Sequence, residues 1–385
     1  MLKKVIKRNA RAFLLIVSLG IVGGYAQTLT QDILLPACSK KESCGYINTK
    51  GNFIIRPQFL RADDFSEGLA AVKIHTPVGD RFGYIDTSGK IVIPAIFEAA
   101  VKFVAGMARI GSEVTKFGAI GRYGFIDNSG RIIISELEGA EDFSEDLAKV
   151  TISFPSNLPA DQPGGKIYKE GFIDKRGKFV ISPNFYIAKS FSEGLAPACI
   201  GSFRNSKCGF ISPDGSWKIQ PIFDSAESFS EGLAAVEING SWGYIDKTGK
   251  IAIKPKFSVA KGFSEGLAAV GSPVDGTTYG YIDKTGMPMI PFIYASAGNF
   301  SDGLATVEPK GLDEFTVKYF YIDRQGRRNS KKEYIYASEF QNGIATVWKA
   351  NFFARLDSGP LLGLAIGKRC YIDKSEKMFW EEKEH

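Results

Sequence analysis

The sequence contains few of the residues that most enzymes use for catalysis near neutral pH. Two histidines occur in 385 residues, His75 and His385. No Gly-x-Ser-x-Gly elbow, HExxH motif, P-loop or CxxC pair is present. A nucleophile–histidine arrangement would therefore have to use His75. Carboxylates are the remaining catalytic candidates, and we expect no catalytic site, no cofactor and no metal centre.

Long apolar runs are also missing, except near the N-terminus. There, basic residues precede the apolar stretch Ala12–Gly24, which is shorter than the ~20 residues that a membrane-spanning helix needs. Small residues at Gly24 and Ala26 are typical of a cleavage site. We interpret residues 1–26 as a cleaved secretory signal peptide, with an uncleaved N-terminal anchor as the alternative. We therefore expect the mature chain to be secreted or periplasmic, without a transmembrane span.

The positive charge of the chain is concentrated in the same segment. The sequence has 48 Lys and Arg residues against 42 Asp and Glu residues, a formal net charge of +6. Residues 1–26 hold basic residues and no acidic ones, so most of the excess lies there. The rest of the chain is close to neutral, and this balance argues against nucleic acid as a partner.

The chain is instead dominated by a repeat, which residues 229–255 show most clearly. Apolar alternation over 233–238 predicts a β-strand, and Asn239-Gly240 is a strong signal for a two-residue hairpin turn. The segment 241–245 is rich in aromatic and β-branched residues, which favour a returning strand. The first half of the unit therefore predicts a β-hairpin.

The second half of the unit adds a further strand. Asp246–Gly249 has the composition of a β-turn, and Lys250–Ile253 predicts a third strand that ends near Pro255. One unit is then a three-stranded antiparallel meander. In the linker 255–263, two aromatic residues and an alanine recur every three residues, a spacing that favours a short helical or 3₁₀ turn.

The second-strand signature recurs nine times, and these copies are numbered here in chain order. It begins at Gly45, Gly83, Gly124, Gly171, Gly209, Gly243, Gly280, Phe320 and Cys370. A Phe-Ser-Glu-Gly-Leu-Ala motif precedes copies 2 to 9 and begins at Phe65, Phe103, Phe143, Phe191, Phe229, Phe263, Phe300 and Phe340. The copies at Phe103 and Phe340 are degenerate. In such arrays each unit buries its apolar face by stacking on its neighbours.

Because turn, strand and linker motifs recur together, the sequence resembles the bacterial WG-repeat family. The Trp-Gly pair that names the family stands here as Trp242-Gly243. The other copies have Cys, Phe, Tyr, Glu or Arg in place of the tryptophan. The resemblance covers roughly residues 34–375. It implies a β-repeat architecture and no activity common to the family.

These observations predict an all-β chain with three parts: the signal peptide at 1–26, a nine-unit repeat domain at 27–380 and a charged tail at 381–385. The first copy already has its own first strand, so the chain does not begin and end with complementary half units. Nine units also exceed the typical 4–8 blades of a propeller. We therefore expect an open, twisted, solenoid-like stack of meanders, with a β-propeller-like ring as the alternative.

Four of the five cysteines fall at positions that face each other across a hairpin. Facing residues in an antiparallel pair lie within disulfide reach. We therefore predict the disulfides Cys38–Cys44 and Cys199–Cys208, which fit an oxidising compartment. Buried free thiols are the alternative. Cys370 is left over, either as a buried thiol or as an intermolecular link.

Insertions lengthen the connection between the first and second strands in several copies, at 151–170, 308–319 and 348–369 and in the Cys199–Cys208 loop. All should emerge from one edge of the stack, and such an edge often binds partners. Tolerated surface variation is the alternative. The candidate residues on this edge are Phe203, Arg204, Trp348, Phe352, Phe353 and Arg355.

A second candidate surface consists of tyrosines. They alternate with a following isoleucine and so point to the opposite sheet face. If exposed, these rings would suit sugars or a partner protein, and the hairpins are similar to those of choline-binding and related cell-wall-binding repeats. Packing between units is the alternative. The residues are Tyr46, Tyr84, Tyr244, Tyr281 and Tyr321.

Acidic residues recur at two places in the unit. The Asp that follows the second strand, as in Asp86 and Asp246, could belong to a row of calcium ligands or a glycosidase pair. The pattern favours a turn residue that bonds its own backbone. The Glu of the Phe-Ser-Glu-Gly motif has the same interpretation.

The functional hypothesis is an extracytoplasmic repeat scaffold that binds an unknown protein or other envelope partner without catalysis. A cell-wall or glycan-binding module is the alternative. A carboxylate-based glycoside hydrolase is a more remote alternative.

Overall fold

The computed structural model describes residues 33–38, 43–114, 120–155, 166–202, 205–311, 318–350 and 367–382. These residues form β-strands and turns and contain no helix. The described residues accordingly include no helix that could span a membrane. The predicted signal peptide at 1–26 lies outside the described residues and remains a prediction. The last strand ends at Glu381, and the charged tail at 381–385 remains a prediction.

The strands form eight antiparallel sheets. The first four sheets are β1 (Leu35–Cys38), β2 (Cys44–Ile47) and β3 (Phe53–Phe59); β4 (Arg61–Ala62), β5 (Leu69–Thr76), β6 (Gly79–Asp86) and β7 (Ile91–Phe97); β8 (Ala99–Ala100), β9 (Met107–Val114), β10 (Ile120–Asp127) and β11 (Ile132–Leu137); and β12 (Gly139–Ala140), β13 (Ala148–Pro155), β14 (Lys166–Ile173) and β15 (Phe179–Phe185).

The other four sheets are β16 (Ile187–Ala188), β17 (Ala196–Ile200), β18 (Lys207–Ile211) and β19 (Trp217–Phe223); β20 (Ser225–Ala226), β21 (Leu233–Ile238), β22 (Ser241–Asp246) and β23 (Ile251–Phe257); β24 (Ala268–Gly271), β25 (Tyr279–Ile282), β26 (Pro288–Ala297), β27 (Leu304–Pro309) and β28 (Phe320–Asp323); and β29 (Tyr336–Ala337), β30 (Ile344–Ala350), β31 (Gly367–Asp373) and β32 (Met378–Glu381).

The predicted meander is present, with one additional short strand. In copy 6, β21, β22 and β23 are the three predicted strands, and the turn residues Asn239 and Gly240 have the expected positive φ values of 53° and 77°. The linker prediction was wrong. The linker before copy 6 is extended, and its two-residue strand β20 pairs with β21. This pairing gives hydrogen-bond partners to backbone N–H and C=O groups that an isolated turn would leave to solvent.

The second-strand signature contains a glycine because the backbone of the third strand passes too close to that position for a side chain. The pairing register of β22 and β23 shifts beside Gly243, and the bulged backbone closes over it. A Cβ atom at Gly243 would lie 2.5 Å from the oxygen of Ile253 and 2.6 Å from the nitrogen of Pro255. In copy 9 no shift occurs at this position, and Cys370 replaces the glycine.

The copies are joined by bonds that repeat with the sequence. In most copies the serine of the Phe-Ser-Glu-Gly motif donates its hydroxyl to the carbonyl of the next copy's phenylalanine, as Ser230 does to Phe263 at 2.6 Å. The glutamate accepts from the next copy's glycine N–H, as Glu231 does from Gly266. The motif glutamate is therefore a turn residue with positive φ whose carboxylate also forms a hydrogen bond to the next copy.

The ring closes where copy 9 meets copy 1. The Tyr371 hydroxyl donates to the Pro36 carbonyl at 2.8 Å. Tyr371 also shares a buried cluster with Ala37 and Ile47, against which Phe379 packs. The chain is thus a β-propeller, and the predicted open stack was wrong while its ring alternative was right. Closure needs no exchanged strand, because side chains of the last copy pack directly on the first.

The number of blades depends on the unit counted. By hydrogen-bonded sheets the propeller has eight blades. By repeat copies there are nine, because the five-stranded sheet holds copies 7 and 8. Its long strand β26 pairs first with β25 and then with β27. At five other junctions a single residue separates the third strand of one copy from the two-residue strand that follows it.

Copy 8 lacks a regular third strand, and copy 9 compensates for it. The turn glycine of other copies packs against the third strand of the copy before, as Gly249 does against Ile219. In copy 9 this turn position is Glu376, which is buried with 8% exposure. Its carboxylate accepts hydrogen bonds from the Ser330 hydroxyl, the Lys331 N–H and the Tyr334 hydroxyl. The carboxylate thus occupies the region where another copy would have its third strand.

Candidate functional site

The tyrosines predicted as an aromatic face lie in the core. Tyr46, Tyr84, Tyr244, Tyr281 and Tyr321 are at most 1% exposed. Each ring lies 4.7–4.9 Å from a phenylalanine of the next copy. Each hydroxyl donates to a carbonyl 17 residues later, with lengths of 2.7–2.9 Å. The exposed-face prediction was therefore wrong, because packing between copies uses both the rings and the hydroxyls.

The recurring turn aspartates bond their own turns. In copy 6, Asp246 Oδ1 accepts from the Thr248 N–H at 2.9 Å and from the Lys250 N–H at 3.1 Å. Hydrogen bonds, the Thr248 hydroxyl first among them, lower the pKa of this carboxyl. Among the described residues no group of three or more His, Cys, Asp or Glu side chains could hold a metal ion. The turn interpretation is thus confirmed.

The described cysteines pair as predicted, with disulfides Cys38–Cys44 and Cys199–Cys208 between directly facing residues. Cys370 is a buried free thiol, and burial raises its pKa to about 11. His75 Nδ1 lies 2.6 Å from Asp80 Oδ1 in an exposed hairpin.

Only one residue of the predicted binding edge is described, Trp348 at 42% exposure. It is paired with Tyr336, which is 48% exposed, and the two ring centroids lie 5.9 Å apart. The other predicted edge residues lie outside the described residues: Phe203, Arg204, Phe352, Phe353 and Arg355. Most of each predicted insertion is likewise outside them.

Tyr336 also lines a cavity of about 640 Å³ at the closing seam, where copy 9 meets copy 1. We call the cavity, together with Trp348, the seam site. Copies 8, 9, 1, 2 and 3 all contribute to its walls, so the cavity lies where neighbouring copies converge around the ring. Its lining includes Leu35, Asp64, Lys102, Thr306, Tyr336, Glu339, Gln341, Asn342 and Tyr371.

Several charged linker residues elsewhere in the ring form ion pairs. Arg109 binds Asp142 at 3.1 Å, Lys149 binds Glu141 at 2.9 Å, and Lys189 pairs with Glu227. In the seam site, by contrast, no ion pair within the described residues reaches Asp64, Lys102 or Glu339. These side chains are the charged groups of the ring that are available to a ligand there.

Asp64 occupies a concave position in this site. Asp64 is exposed to solvent, but the protein around it partly desolvates its carboxylate. This desolvation is the main cause that raises the pKa of Asp64, and neighbouring Asp63 raises it further. Lys102 and Arg369 act in the opposite direction. A carboxylate of this kind gains stability from any added cation.

Glu339 lies on the copy 9 wall. The charge of Glu339 affects the pKa of Lys261 in copy 7, but the Lys261 ammonium donates its hydrogen bond to the Ala297 carbonyl at 2.8 Å. Burial lowers the pKa of Lys261, and Glu339 partly offsets this effect. The two groups therefore interact across the ring without forming an ion pair.

Sequence reasoning missed every residue of the seam site except Trp348. Its charged members stand in the linkers immediately before the motif phenylalanine, at Asp64, Lys102 and Glu339. The available signal was variation, because these positions differ from copy to copy while the flanking motif repeats. Their convergence depends on ring closure, which the sequence pattern did not predict.

The described fold is that of a β-propeller. The family "WG containing repeat" matches seven segments, which together make up more than half of the chain: residues 45–75, 82–111, 123–152, 171–202, 209–242, 242–271 and 279–311. The chain therefore belongs to the WG-containing-repeat family. The comparison with curated proteins gave no match.

Solved structures share the fold at low sequence identity. A crystal structure described as the eukaryotic initiation factor has a TM-score of 0.60 at 12% identity, over 91% of this chain and 96% of that chain. Dipeptidyl peptidase 4 of Porphyromonas gingivalis has a TM-score of 0.43 at 12% identity, over 92% of this chain and 60% of that chain. The first similarity supports the fold alone, and the second is too low to bear on it.

Proposed function

We propose that the protein is an extracytoplasmic scaffold without catalytic activity of its own, and that it binds a partner protein at the seam site. The observation that carries this proposal is the exposed Tyr336–Trp348 pair beside a cavity with charged side chains that lack ion pairs. Tyrosine and tryptophan are enriched among residues that dominate protein interfaces. Polar groups in a cavity supply orientation and specificity.

Two further features support the location and the absence of catalysis. Disulfides form and persist in oxidising compartments, which agrees with the predicted signal peptide. The turn aspartates and most motif glutamates are engaged in backbone bonds, so they are not available as an acid–base pair.

The test is an affinity experiment with the purified chain on cell-envelope extract, separated into protein and polysaccharide fractions. We expect a protein to be retained by the wild type and lost with Tyr336→Ala and with Trp348→Ala. Phe154→Ala and Tyr168→Ala are matched controls, because both rings are exposed at 41% and 44% on another copy. Both controls should retain the partner.

Three results would contradict the proposal. Retention of polysaccharide alone would indicate a glycan-binding module. Sugar release that is abolished by Asp64→Asn would indicate a carboxylate-based hydrolase. Retention of a protein by all variants alike would place its binding surface elsewhere on the ring.

A further inference from the structure

The two walls of the seam site differ in charge balance, and this difference indicates what the site binds. On the wall from copies 2 and 3, Asp64 interacts with Lys102, and Asp63 is paired with Arg61 at 2.9 Å. The charges of that wall largely offset one another. It therefore has little preference for a ligand of either sign.

The copy 9 wall has no such balance. Glu339 is exposed and forms no ion pair within the described residues. Lys261, whose pKa responds to the charge of Glu339, directs its ammonium to a backbone carbonyl. The neighbouring lining side chains Gln341 and Asn342 are neutral. Glu339 therefore gives this wall one negative charge without a paired cation.

The same wall presents aromatic surface. Tyr336 lines the cavity, and Trp348 packs against it. Aromatic faces attract cations through their quadrupole, and tryptophan does so most strongly. Copy 9 thus contributes a carboxylate and an aromatic ring to the cavity lining, with a second ring packed on the first. These groups suit a guanidinium or an ammonium.

We propose that the copy 9 wall of the seam site binds a basic side chain of the partner protein, with Glu339 as its counter-ion and Tyr336 and Trp348 as its aromatic contacts. This inference rests on the proposed function. Arginine is preferred over lysine, because its planar group can both stack on a ring and bind a carboxylate through two N–H donors.

The test uses small probes, so that it does not depend on knowing the partner. N-acetyl-arginine methylamide is titrated into the purified chain and compared with its isosteric, uncharged citrulline analogue, by nuclear magnetic resonance shifts. We expect the arginine probe to bind about three- to thirtyfold more tightly, the range of an exposed cation–π contact together with an exposed ion pair. Glu339→Gln should reduce this preference to about two- to fivefold, because only the cation–π contact then distinguishes the two probes.

Glu136→Gln is the matched control. Glu136 is an exposed carboxylate on copy 3, outside the cavity, and its removal changes the net charge by the same amount. The preference for arginine should persist in this variant. Because Glu339 is exposed, its replacement should leave the melting temperature unchanged, which a thermal melt verifies.

Equal binding of the two probes by the wild type would overturn the inference, as would an unchanged preference in Glu339→Gln. The envelope experiment separates this failure from that of the proposed function. A partner that is lost with Trp348→Ala but kept by Glu339→Gln would leave the proposed function standing and refute the role of the basic side chain. Loss of both signals in the wild type would refute both.

Discussion

The hydroxyl of Tyr371 donates a 2.8 Å hydrogen bond to the carbonyl oxygen of Pro36, which lies 335 residues earlier in the chain. Elsewhere in the ring the equivalent tyrosines reach carbonyls only 17 residues away, as Tyr244 does to Lys261. Pro36 therefore takes the place that a further copy would fill. The contact that closes the propeller is therefore the same tyrosine-to-carbonyl hydrogen bond that each of the other tyrosine-bearing copies forms with the copy after it.

Tyr371→Phe should weaken this closing contact. The change removes one buried hydrogen bond and leaves the Pro36 carbonyl without this donor, so we expect a loss of about 1 kcal/mol in the free energy of unfolding. Hydrogen exchange followed by mass spectrometry should show faster exchange in copies 1 and 9. Tyr244→Phe is the control, since its loss should be similar in size but its faster exchange should be confined to copies 6 and 7. Unchanged exchange at the seam in Tyr371→Phe would contradict the role of this bond in closure.

Gly243→Ala should be strongly destabilising. The new Cβ would meet the backbone at Ile253 and Pro255, which cannot move without breaking the bulge, and overpacking of this kind costs about 1–3 kcal/mol or more. Gly232→Ala is the matched comparison: its φ is +86°, but nothing lies within 4 Å of the new atom. That change should cost only about 1 kcal/mol. Urea unfolding of both variants measures the difference, and equal losses would show that backbone conformation, rather than the close approach, explains the glycine.

The repeated unit was predictable because its signals are local. The turn at Asn239-Gly240, the strands of the meander and the pairing of Cys199 with Cys208 all follow from residues that lie close together in sequence. The fourth strand was missed because β20 is only two residues long and its partner β21 lies beyond the intervening motif. Closure was missed for a different reason: it depends on Tyr371 and Pro36, which no local pattern connects.

The seam site was beyond prediction for the same reason. Asp64 and Glu339 are both unremarkable acidic residues in their linkers, and they share a cavity only because the ring closes. For the tyrosines, the sequence pattern predicted a surface that the structure does not have. Their alternation with isoleucine correctly separated two sheet faces, but alternation alone does not show that both faces are covered in a closed ring.

Asp64→Asn should stabilise the folded protein near neutral pH. The pKa of Asp64 is raised by folding, so the folded state binds its proton more tightly than the unfolded state does. The stability that this carboxyl contributes is therefore fully present below its unfolded pKa and is lost as the pH rises through its folded pKa. At pH 7 the charged form carries an unfavourable cost, which asparagine removes. Because water reaches the side chain, we expect a gain below about 1 kcal/mol.

The measurement is urea unfolding of wild type and Asp64→Asn between pH 3 and pH 7. The stability difference in favour of the variant should grow as the pH rises through the region just above the ordinary carboxyl pKa. A difference that is constant over this range would show that the effect does not arise from titration of Asp64. Asp246→Asn is the control of opposite sign, because folding lowers the pKa of that carboxyl.

Arg369→Gln should slow reduction of the seam disulfide. The Arg369 Nη2 atom lies 3.7 Å from Cys38 Sγ, and a guanidinium stabilises a thiolate that leaves from this sulfur when a small thiol attacks Cys44. We expect the rate of reduction of Cys38–Cys44 by dithiothreitol to fall about three- to tenfold. Alkylation followed by mass spectrometry measures it.

The second disulfide is an internal control for that experiment. Arg369→Gln should leave the reduction rate of Cys199–Cys208 unchanged, and Arg369→Lys should preserve much of the effect at Cys38–Cys44. Equal slowing of both disulfides would indicate a general change in access instead of a local charge. Cys370 should interfere little, because burial raises its pKa to about 11.

Glu376 has a consequence for how the number of repeats can change. If a unit were added or removed among copies 5 to 7, the turn glycine of one copy would still pack against a regular third strand of the copy before it. The new junction would therefore resemble the existing ones. The junction between copies 8 and 9 does not permit this exchange. Glu376 would meet an isoleucine-bearing strand if copy 8 were replaced by a regular unit, and Ser330 and Tyr334 would lose their acceptor if copy 9 were replaced. We therefore expect that copies 8 and 9 can be transplanted or duplicated without loss of these contacts only as a pair.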